Sequence, residues 1–200
     1  MIPYVPTAEA EAACVQIRRT LAAHLSAARR ELVPAGGRRL GAQRQDRAAE
    51  QRDATLVRIM SITEAFCGDR LLSEVEEEVK PGNAGPRSQM WTTAATAAVS
   101  SWSSQEKHYK DWLRISTIDW KFVNDLAIAR NAIAHGLGYL TRQQLIKRQS
   151  NVDKLRGIGI PIVKDRIQVS EASLRFLARR CVAHIESVDE KVSSRVRHTP

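Results

Sequence analysis

The chain has 200 residues, of which 43% are hydrophobic, and this length suits one well-cored domain with an appendage better than two domains. It contains no run of about 18 apolar residues and no basic leader followed by an apolar stretch, so we expect neither a membrane span nor secretion and place the protein in the cytoplasm. Basic residues exceed acidic ones by 9, with 16 against 9 in residues 111–200, which favours a polyanionic partner, although codon bias in a GC-rich genome would give the same excess.

Glycine and proline interrupt the chain rarely, and apolar residues recur mostly at helical spacing, so the predicted class is all-α with a small β element. The cysteines Cys14, Cys67 and Cys181 are widely spaced and form no CxxC or Cys/His pattern. We therefore expect free thiols, no zinc site and no other metal. The sequence also lacks a glycine-rich phosphate loop and a nucleophile elbow, and we expect no cofactor.

An alanine-rich segment over residues 7–33 predicts a first helix with a modest apolar edge of Val15, Leu21 and Leu25. Thr7 offers a partial cap at its start. The proline and glycines of residues 34–37 end the helix and predict a hinge.

An arginine-rich stretch follows the hinge and completes an N-terminal extension, residues 1–52. Its cations are suited either to RNA phosphates or to a solvated helix face or linker. They are Arg38, Arg39, Arg44, Arg47 and Arg52.

Apolar residues at helical spacing over residues 53–79 predict a long amphipathic core helix that ends at the turn signal of residues 80–83. Glu64 falls close to the apolar stripe of this helix. Its carboxylate either orients the groups of a functional site or is an ordinary surface or ion-paired glutamate.

Aromatic residues are concentrated after a third predicted helix, which Ser88 can cap. They can stack on unpaired bases or fill the core or a dimer interface, and core packing is the favoured interpretation. These residues are Trp102, Tyr109, Trp112 and Trp120.

The segment 129–136 places a cation, an amide and an imidazole at the end of a predicted helix. The i,i+4 spacing puts Asn131 and His135 on one face, with Arg130 beside Asn131. Gly136 predicts the end of this helix, so His135 lies in its last turn. A guanidinium matches a phosphate bidentately and histidine exchanges protons near neutral pH, which together suit RNA cleavage by the 2′-OH without a metal ion. Alternatively, Arg130 forms a surface salt bridge and His135 caps its own helix.

The opposite face of the same helix is predicted to be buried. Ser116 and Asp119 form a predicted capping box at its start. The apolar stripe consists of Phe122, Leu126, Ala129 and Ile133.

A basic stretch follows the motif, and Arg142, Lys147 and Arg148 are its candidate RNA-binding residues. Alternating apolar residues over 158–162 and 167–169 predict a short hairpin, which Pro161 confines to a sheet edge. A last amphipathic helix then begins near Ser170 and ends in a basic tail, residues 193–200. It includes His184, which we expect to be a packed or surface histidine.

The pattern Arg130-Asn131-x-x-x-His135-Gly136, followed by Gly-Tyr-Leu-Thr at residues 138–141, resembles the signature of HEPN-domain proteins of the RNxxxHG subgroup. The segment 59–66, which contains Glu64, is similar to the first core helix of such domains, and the hairpin and last helix are similar too. The resemblance covers about residues 50–192. It implies a HEPN-like helical bundle over residues 53–192 with a small β-hairpin before the last helix.

The resemblance further implies a metal-independent endoribonuclease, a homodimer whose composite active site joins the motifs of two protomers. His135 would act as general base or acid, Arg130 would stabilise charge on phosphorus, and Asn131 would position the phosphate. Many such ribonucleases are toxins or antiphage effectors that act on tRNA or mRNA, which makes an antitoxin or a larger defence complex an expected partner.

Two rival hypotheses stay open. One is a HEPN-like module that binds RNA or a partner protein without cleaving, and the other is a structural helical protein whose charge is incidental. In family members silenced by nucleotide transfer, a tyrosine lies two residues after the histidine, whereas here Leu137 occupies that position. We therefore expect no regulation of that kind.

Overall fold

The computed structural model describes residues 4–31, 41–79 and 85–196, and these form eight helices and one two-stranded antiparallel hairpin. The result confirms the predicted all-α class with a hairpin before the last helix. None of the described helices is long and apolar enough to cross a membrane. The elements in chain order are α1 (Ala8–Glu31), α2 (Gly41–Val79), α3 (Pro86–Ala98), α4 (Trp102–Asp111), α5 (Lys121–Gly136), α6 (Arg142–Ile146), α7 (Arg148–Gly157), β1 (Ile162–Val163), β2 (Arg166–Ile167) and α8 (Glu171–Val196).

The long helices α1, α2 and α8 pack against one another, and α5 packs on α2 and α7. Helix α2 begins at Gly41 instead of the predicted residue 53, so the expected boundary between residues 52 and 53 falls inside a continuous helix. Arg52 is one reason, since its Nε donates a 2.6 Å hydrogen bond to the Val169 carbonyl and attaches this part of α2 to the body of the fold. The predicted hinge at 34–37, Arg38, Arg39 and the turn signal at 80–83 lie outside the described residues.

The core face of α1 differs from the predicted one. Ala10, Cys14 and Ile17 are buried, whereas the three residues of the predicted edge are only half-buried. The spacing of the buried residues is four and then three, which defines a stripe that faces α2 and α8 together. The abundance of alanine around this stripe weakened the pattern in the sequence.

A buried carboxylate, Asp189 of α8, attaches the N-terminal segment to two helices. It accepts hydrogen bonds from the Tyr4 hydroxyl at 2.6 Å, from the Thr7 amide at 2.8 Å and hydroxyl at 2.9 Å, and from Arg70 Nε at 3.1 Å. Burial alone would raise the pKa of Asp189, but these hydrogen bonds outweigh it and hold the pKa below its ordinary value. One side chain therefore joins residues 4–7, α2 and α8.

The aromatic residues between α4 and α5 belong to the core. Trp102, Tyr109 and Trp120 are buried, and the Trp120 ring lies 5.1 Å from the Tyr109 ring and 5.2 Å from the His184 ring between centroids. Trp112 is half-buried against His108, with ring centroids 4.3 Å apart. The favoured interpretation of these aromatics, core packing, is confirmed for the three buried rings, which are not accessible to RNA bases.

His184 makes the stability of the fold depend on pH. It is buried, its Nε2 has no hydrogen-bond partner among the described residues, and burial lowers its pKa to about 4 against the opposing effect of Asp119. Between pH 6.5 and 4 the unfolded chain binds a proton at this site that the folded chain does not. The free energy of unfolding should therefore decrease as pH falls through this window, by about 1–3 kcal/mol from this residue.

Denaturant titrations of the wild type and His184→Leu at several pH values measure this contribution as a difference. The difference should change across the window, because leucine cannot bind the proton. His108→Leu serves as a control on a half-buried histidine. A wild-type and His184→Leu difference that is constant with pH would contradict the prediction.

Candidate functional site

Helix α5 has one face in the core, as predicted. Phe122, Leu126 and Ala129 are buried, and Ile133 packs against the core. The predicted start of this helix is wrong, because it begins at Lys121 and the capping box does not form. Ile115 and Ile118 are buried on either side of Ser116, so this stretch is held in an irregular conformation upstream of the helix. Asp119 contributes differently from the prediction, since its Oδ1 accepts a 3.0 Å hydrogen bond from the Lys121 amide.

The C-terminal end of α5 is closed by two residues with positive φ. Gly136 is the last helical residue, Leu137 has φ 52°, and Gly138 has φ 89° and donates its amide to the Ala132 carbonyl at 3.0 Å. This is the hydrogen-bond pattern of a glycine-assisted helix end. The predicted helix end is therefore confirmed, with the left-handed residues placed after Gly136, and His135 lies in the last turn.

The three motif side chains lie at this exposed end. Arg130 is half-buried, whereas Asn131 and His135 are exposed. Arg130 Nη1 donates a 3.3 Å hydrogen bond to Asn131 Oδ1. No hydrogen bond or ion pair joins the His135 side chain to another described residue, and Arg130 forms no salt bridge within the described ranges. In the described ranges Arg130 therefore does not form the alternative surface salt bridge, and His135 does not cap its own helix by a side-chain hydrogen bond.

No hydrogen bond or ion pair joins the Glu64 side chain to Arg130, Asn131 or His135 in the described residues. Glu64 is half-buried on α2, and its backbone carbonyl accepts a 3.4 Å hydrogen bond from Gln105 on α4. Asp53 is the α2 carboxylate at the end of α5, since a β-carbon placed on Gly138 would lie 3.6 Å from Asp53 Oδ2. Glu64 is eleven residues further along, which corresponds to about 16 Å along the helix axis.

Asp53 is not among the functional residues predicted from the sequence, because it is simply the first residue of the predicted core helix, residues 53–79. The one sequence feature that distinguishes Asp53 is its place between the arginine-rich stretch and the first apolar residues of α2. Nothing in the local pattern relates it to Gly138, which is 85 residues later in the chain.

Helix α6 carries the basic residues to the side of α5. The Thr141 hydroxyl caps α6 by accepting a hydrogen bond from the Gln144 amide. In turn, Gln144 Oε1 accepts a hydrogen bond from the Thr141 amide, which completes a capping box. Gln144 Nε2 also donates a 2.8 Å hydrogen bond to the Ile128 carbonyl on α5. One glutamine therefore fixes both the start of α6 and its attachment to α5.

The candidate RNA-binding residues Arg142, Lys147 and Arg148 are all exposed on α6 and the start of α7. Arg148 Nε donates to Asp165 Oδ1 at 2.7 Å, and both side chains are exposed enough for this pair to contribute little stability. The structure thus places three cations beside the motif helix, one of them already paired.

The hairpin is shorter than predicted and packs on the segment that follows the motif. Its turn residues Lys164 and Asp165 have φ 48° and 63°, as a two-residue hairpin with a right-handed twist requires. The Leu140 amide donates to the Asp165 carbonyl and the Ile167 amide to the Gly138 carbonyl, both at 2.9 Å. Residues 158 and 160 are buried but not part of a strand.

Exposed apolar side chains occur on the segment that directly follows α5, on α6 and on β1. Leu137 is 86% exposed and Ile146 is 78% exposed. Elsewhere in the described ranges, exposed large apolar residues occur singly, for example Met90 on α3. We call the following residues the apolar patch: Leu137, Tyr139, Leu145, Ile146 and Val163.

No group of three or more His, Cys, Asp or Glu side chains suited to hold a metal ion occurs in residues 4–31, 41–79 and 85–196. The three cysteines are free and buried, and burial raises the pKa of Cys14 to about 11 and that of Cys181 to about 12. These thiols are therefore protonated at neutral pH.

Comparisons with protein-family models, with curated proteins and with solved structures give no match to this chain.

Proposed function

We propose that this chain is a metal-independent endoribonuclease of HEPN type that acts as a homodimer on tRNA or mRNA. The observation that carries the proposal is the placement of Arg130, Asn131 and His135 at the exposed end of a helix whose other face lies in the core. Such a rigid support holds reacting groups in place during catalysis. The RNxxxHG pattern is the second support.

The reaction uses the RNA's own 2′-OH as the nucleophile. His135 accepts the 2′-OH proton while the 2′ oxygen bonds to the adjacent phosphorus, and an acid protonates the departing 5′ oxygen. Arg130 stabilises the negative charge on the phosphoryl oxygens, and Asn131 donates its amide to hold the phosphate. The products are a 2′,3′-cyclic phosphate and a 5′-hydroxyl.

A second protomer supplies what one chain lacks. The reaction needs a base and an acid. The other described histidines, His24, His108 and His184, lie on α1, α4 and α8 and not on α5. The apolar patch begins at Leu137, two residues after His135, and its burial between two copies would bring two His135 side chains to one twofold axis. Leu137 supports this arrangement, since a fully apolar side chain is presented to solvent from a left-handed residue.

The exposed cations Arg142 and Lys147 flank this site and suit the RNA backbone. From the HEPN resemblance we further infer a toxin or antiphage effector that an antitoxin or a larger defence complex restrains. From the same resemblance we infer a cytoplasmic location.

One observation favours a second candidate, a non-catalytic module that binds RNA or a partner protein. The Arg130 guanidinium donates to Asn131 and makes no hydrogen bond with His135. Arg130 and Asn131 are thus arranged to hold a phosphate without the imidazole. Such a module would bind RNA with a clear salt dependence and would leave it uncut.

The test is cleavage of end-labelled total tRNA and mRNA in the presence of EDTA, with the product ends analysed. We expect cyclic phosphate ends from the wild type. Ile146→Glu should shift the dimer to monomer and lower cleavage at least tenfold, because a charge cannot be buried unpaired in an apolar interface.

Met90→Glu is the matched control, since Met90 is 74% exposed but lies on α3, away from the apolar patch. This variant should leave the molecular mass of the protein in solution and the rate of RNA cleavage unchanged. A monomeric Ile146→Glu protein with full activity would contradict the dimer. Tight binding without cleavage by the wild type would support the module.

A further inference from the structure

A polar cavity of about 390 Å³ lies between α2 on one side and β2 with the residues that follow it on the other. Its charged lining residues are Arg52, Asp53 and Arg166. The predicted functional residues do not include Asp53 or Arg166. The volume is that of a single nucleotide and not of an extended ligand.

The cavity adjoins the end of the motif helix. A β-carbon placed on Gly138 would lie 3.6 Å from both Asp53 Oδ2 and Arg166 Nε, and Gly138 is three residues after His135. Arg166 also lies over the ring of Tyr139, 5.7 Å from its centroid. The cavity therefore lies beside the segment that directly follows the helix of His135.

The three charged side chains line one cavity but form no hydrogen bond or ion pair with one another in the described ranges. Arg52 uses Nε for the Val169 carbonyl, and its remaining nitrogens make no hydrogen bond with the described residues. Arg166 and Asp53 form no ion pair within 4.0 Å in the described ranges, although both arginines lower the pKa of Asp53 against the stronger, raising effect of burial. Two guanidiniums and a carboxylate thus retain hydrogen-bonding capacity toward a ligand.

We propose that this cavity binds the RNA nucleotide on the 3′ side of the cleaved phosphate, with Arg52 and Arg166 on that nucleotide's 3′ phosphate and Asp53 accepting a hydrogen bond from its ribose 2′-OH. The proposal rests on the proposed ribonuclease function. Guanidiniums bind phosphate bidentately, and a carboxylate is a common partner of ribose hydroxyls. Because the 2′-OH distinguishes RNA from DNA, Asp53 becomes the residue that selects RNA.

The test measures equilibrium binding of short single-stranded RNA and DNA of one sequence to the His135→Ala protein, which keeps the RNA intact. Arg166→Gln should weaken binding of both about tenfold, the effect of one lost charged hydrogen-bonding group. It should also lower the salt dependence of RNA binding by about 0.7 in slope. Asp53→Asn should weaken RNA alone and so remove the preference over DNA.

Arg175→Gln is the matched control, because Arg175 is an exposed cation on α8 outside the cavity. It removes the same charge and should change affinity little. Thermal unfolding checks each variant, and Arg166→Lys replaces Arg166→Gln where the latter does not fold, with a loss of affinity still expected because bidentate geometry is gone.

The proposal is overturned if Arg166→Gln or its replacement binds RNA as well as Arg175→Gln does, or if Asp53→Asn weakens RNA and DNA equally. Displacement of RNA by micromolar adenosine 5′-monophosphate would assign the cavity to a free nucleotide and also overturn it. These measurements do not depend on cleavage. Absence of cleavage by the wild type therefore counts against the enzyme, and absence of the binding differences counts against the cavity.

Discussion

His135→Ala is expected to lower the rate of RNA cleavage by about 10²–10⁴-fold, the usual contribution of a general acid or base. The imidazole is exposed in the last turn of α5, so its removal leaves the core unchanged and the protein should unfold at the wild-type temperature. The measurement is the initial rate on end-labelled tRNA in EDTA, at equal protein concentration. RNA affinity should fall much less than the rate.

His108→Ala is the control for this loss, since His108 lies on α4 and contacts Trp112. Its cleavage rate should stay within about twofold of the wild type at a temperature where both are folded. Cleavage that survives in His135→Ala would reject the proton-carrying role and point to a contaminating nuclease or to a different site.

Arg130→Lys refines the same prediction, because lysine keeps the charge and loses the planar fork that binds a phosphate bidentately. Arg130 uses Nη1 for a 3.3 Å hydrogen bond to Asn131, so its other guanidinium nitrogens remain for a phosphate, whereas an ammonium has no such second edge. The cleavage rate should therefore fall together with that of His135→Ala, though less. Full activity of Arg130→Lys would contradict the proposed role.

Asp189→Ala is expected to lower the free energy of unfolding by about 3–5 kcal/mol, the typical cost of breaking a buried ion pair by removal of one partner. The alanine would leave the largely buried Arg70 with Glu74 and Ser193 as its remaining partners, and the Tyr4 and Thr7 groups would lose their acceptor. Chemical denaturation at neutral pH measures the change. The α1 end near Thr7 should also become more accessible to proteases.

Glu190→Ala is the neighbouring control, and because Glu190 is exposed it should change stability by less than about 0.5 kcal/mol. The pH dependence has a defined sign. Since the pKa of Asp189 is lowered by folding, its contribution is present above the ordinary carboxylate pKa and is lost as pH falls through the folded value. Equal stabilities of the two variants would contradict the network.

Much of the fold could be predicted because it is written in local periodicity. The apolar stripes of α5 and α8 and the apolar alternation around the hairpin repeat over a few residues and depend on neighbours in the chain. Residues 41–52 of α2 were not predicted as part of the core helix, because their arginine-rich and alanine-rich sequence has no apolar period of its own. It is helical in contact with α1 and through Arg52.

By itself the sequence determined the helical class and the placement of Arg130, Asn131 and His135 on one exposed helix end. Helical spacing and the left-handed helix end are properties of adjacent residues, so both were predictable. Tertiary packing, in contrast, places Asp53 beside Gly138 at this end and joins Asp189 to Tyr4 across 185 positions. Such pairs depend on which helix faces meet after packing, and no local pattern in the chain records that choice.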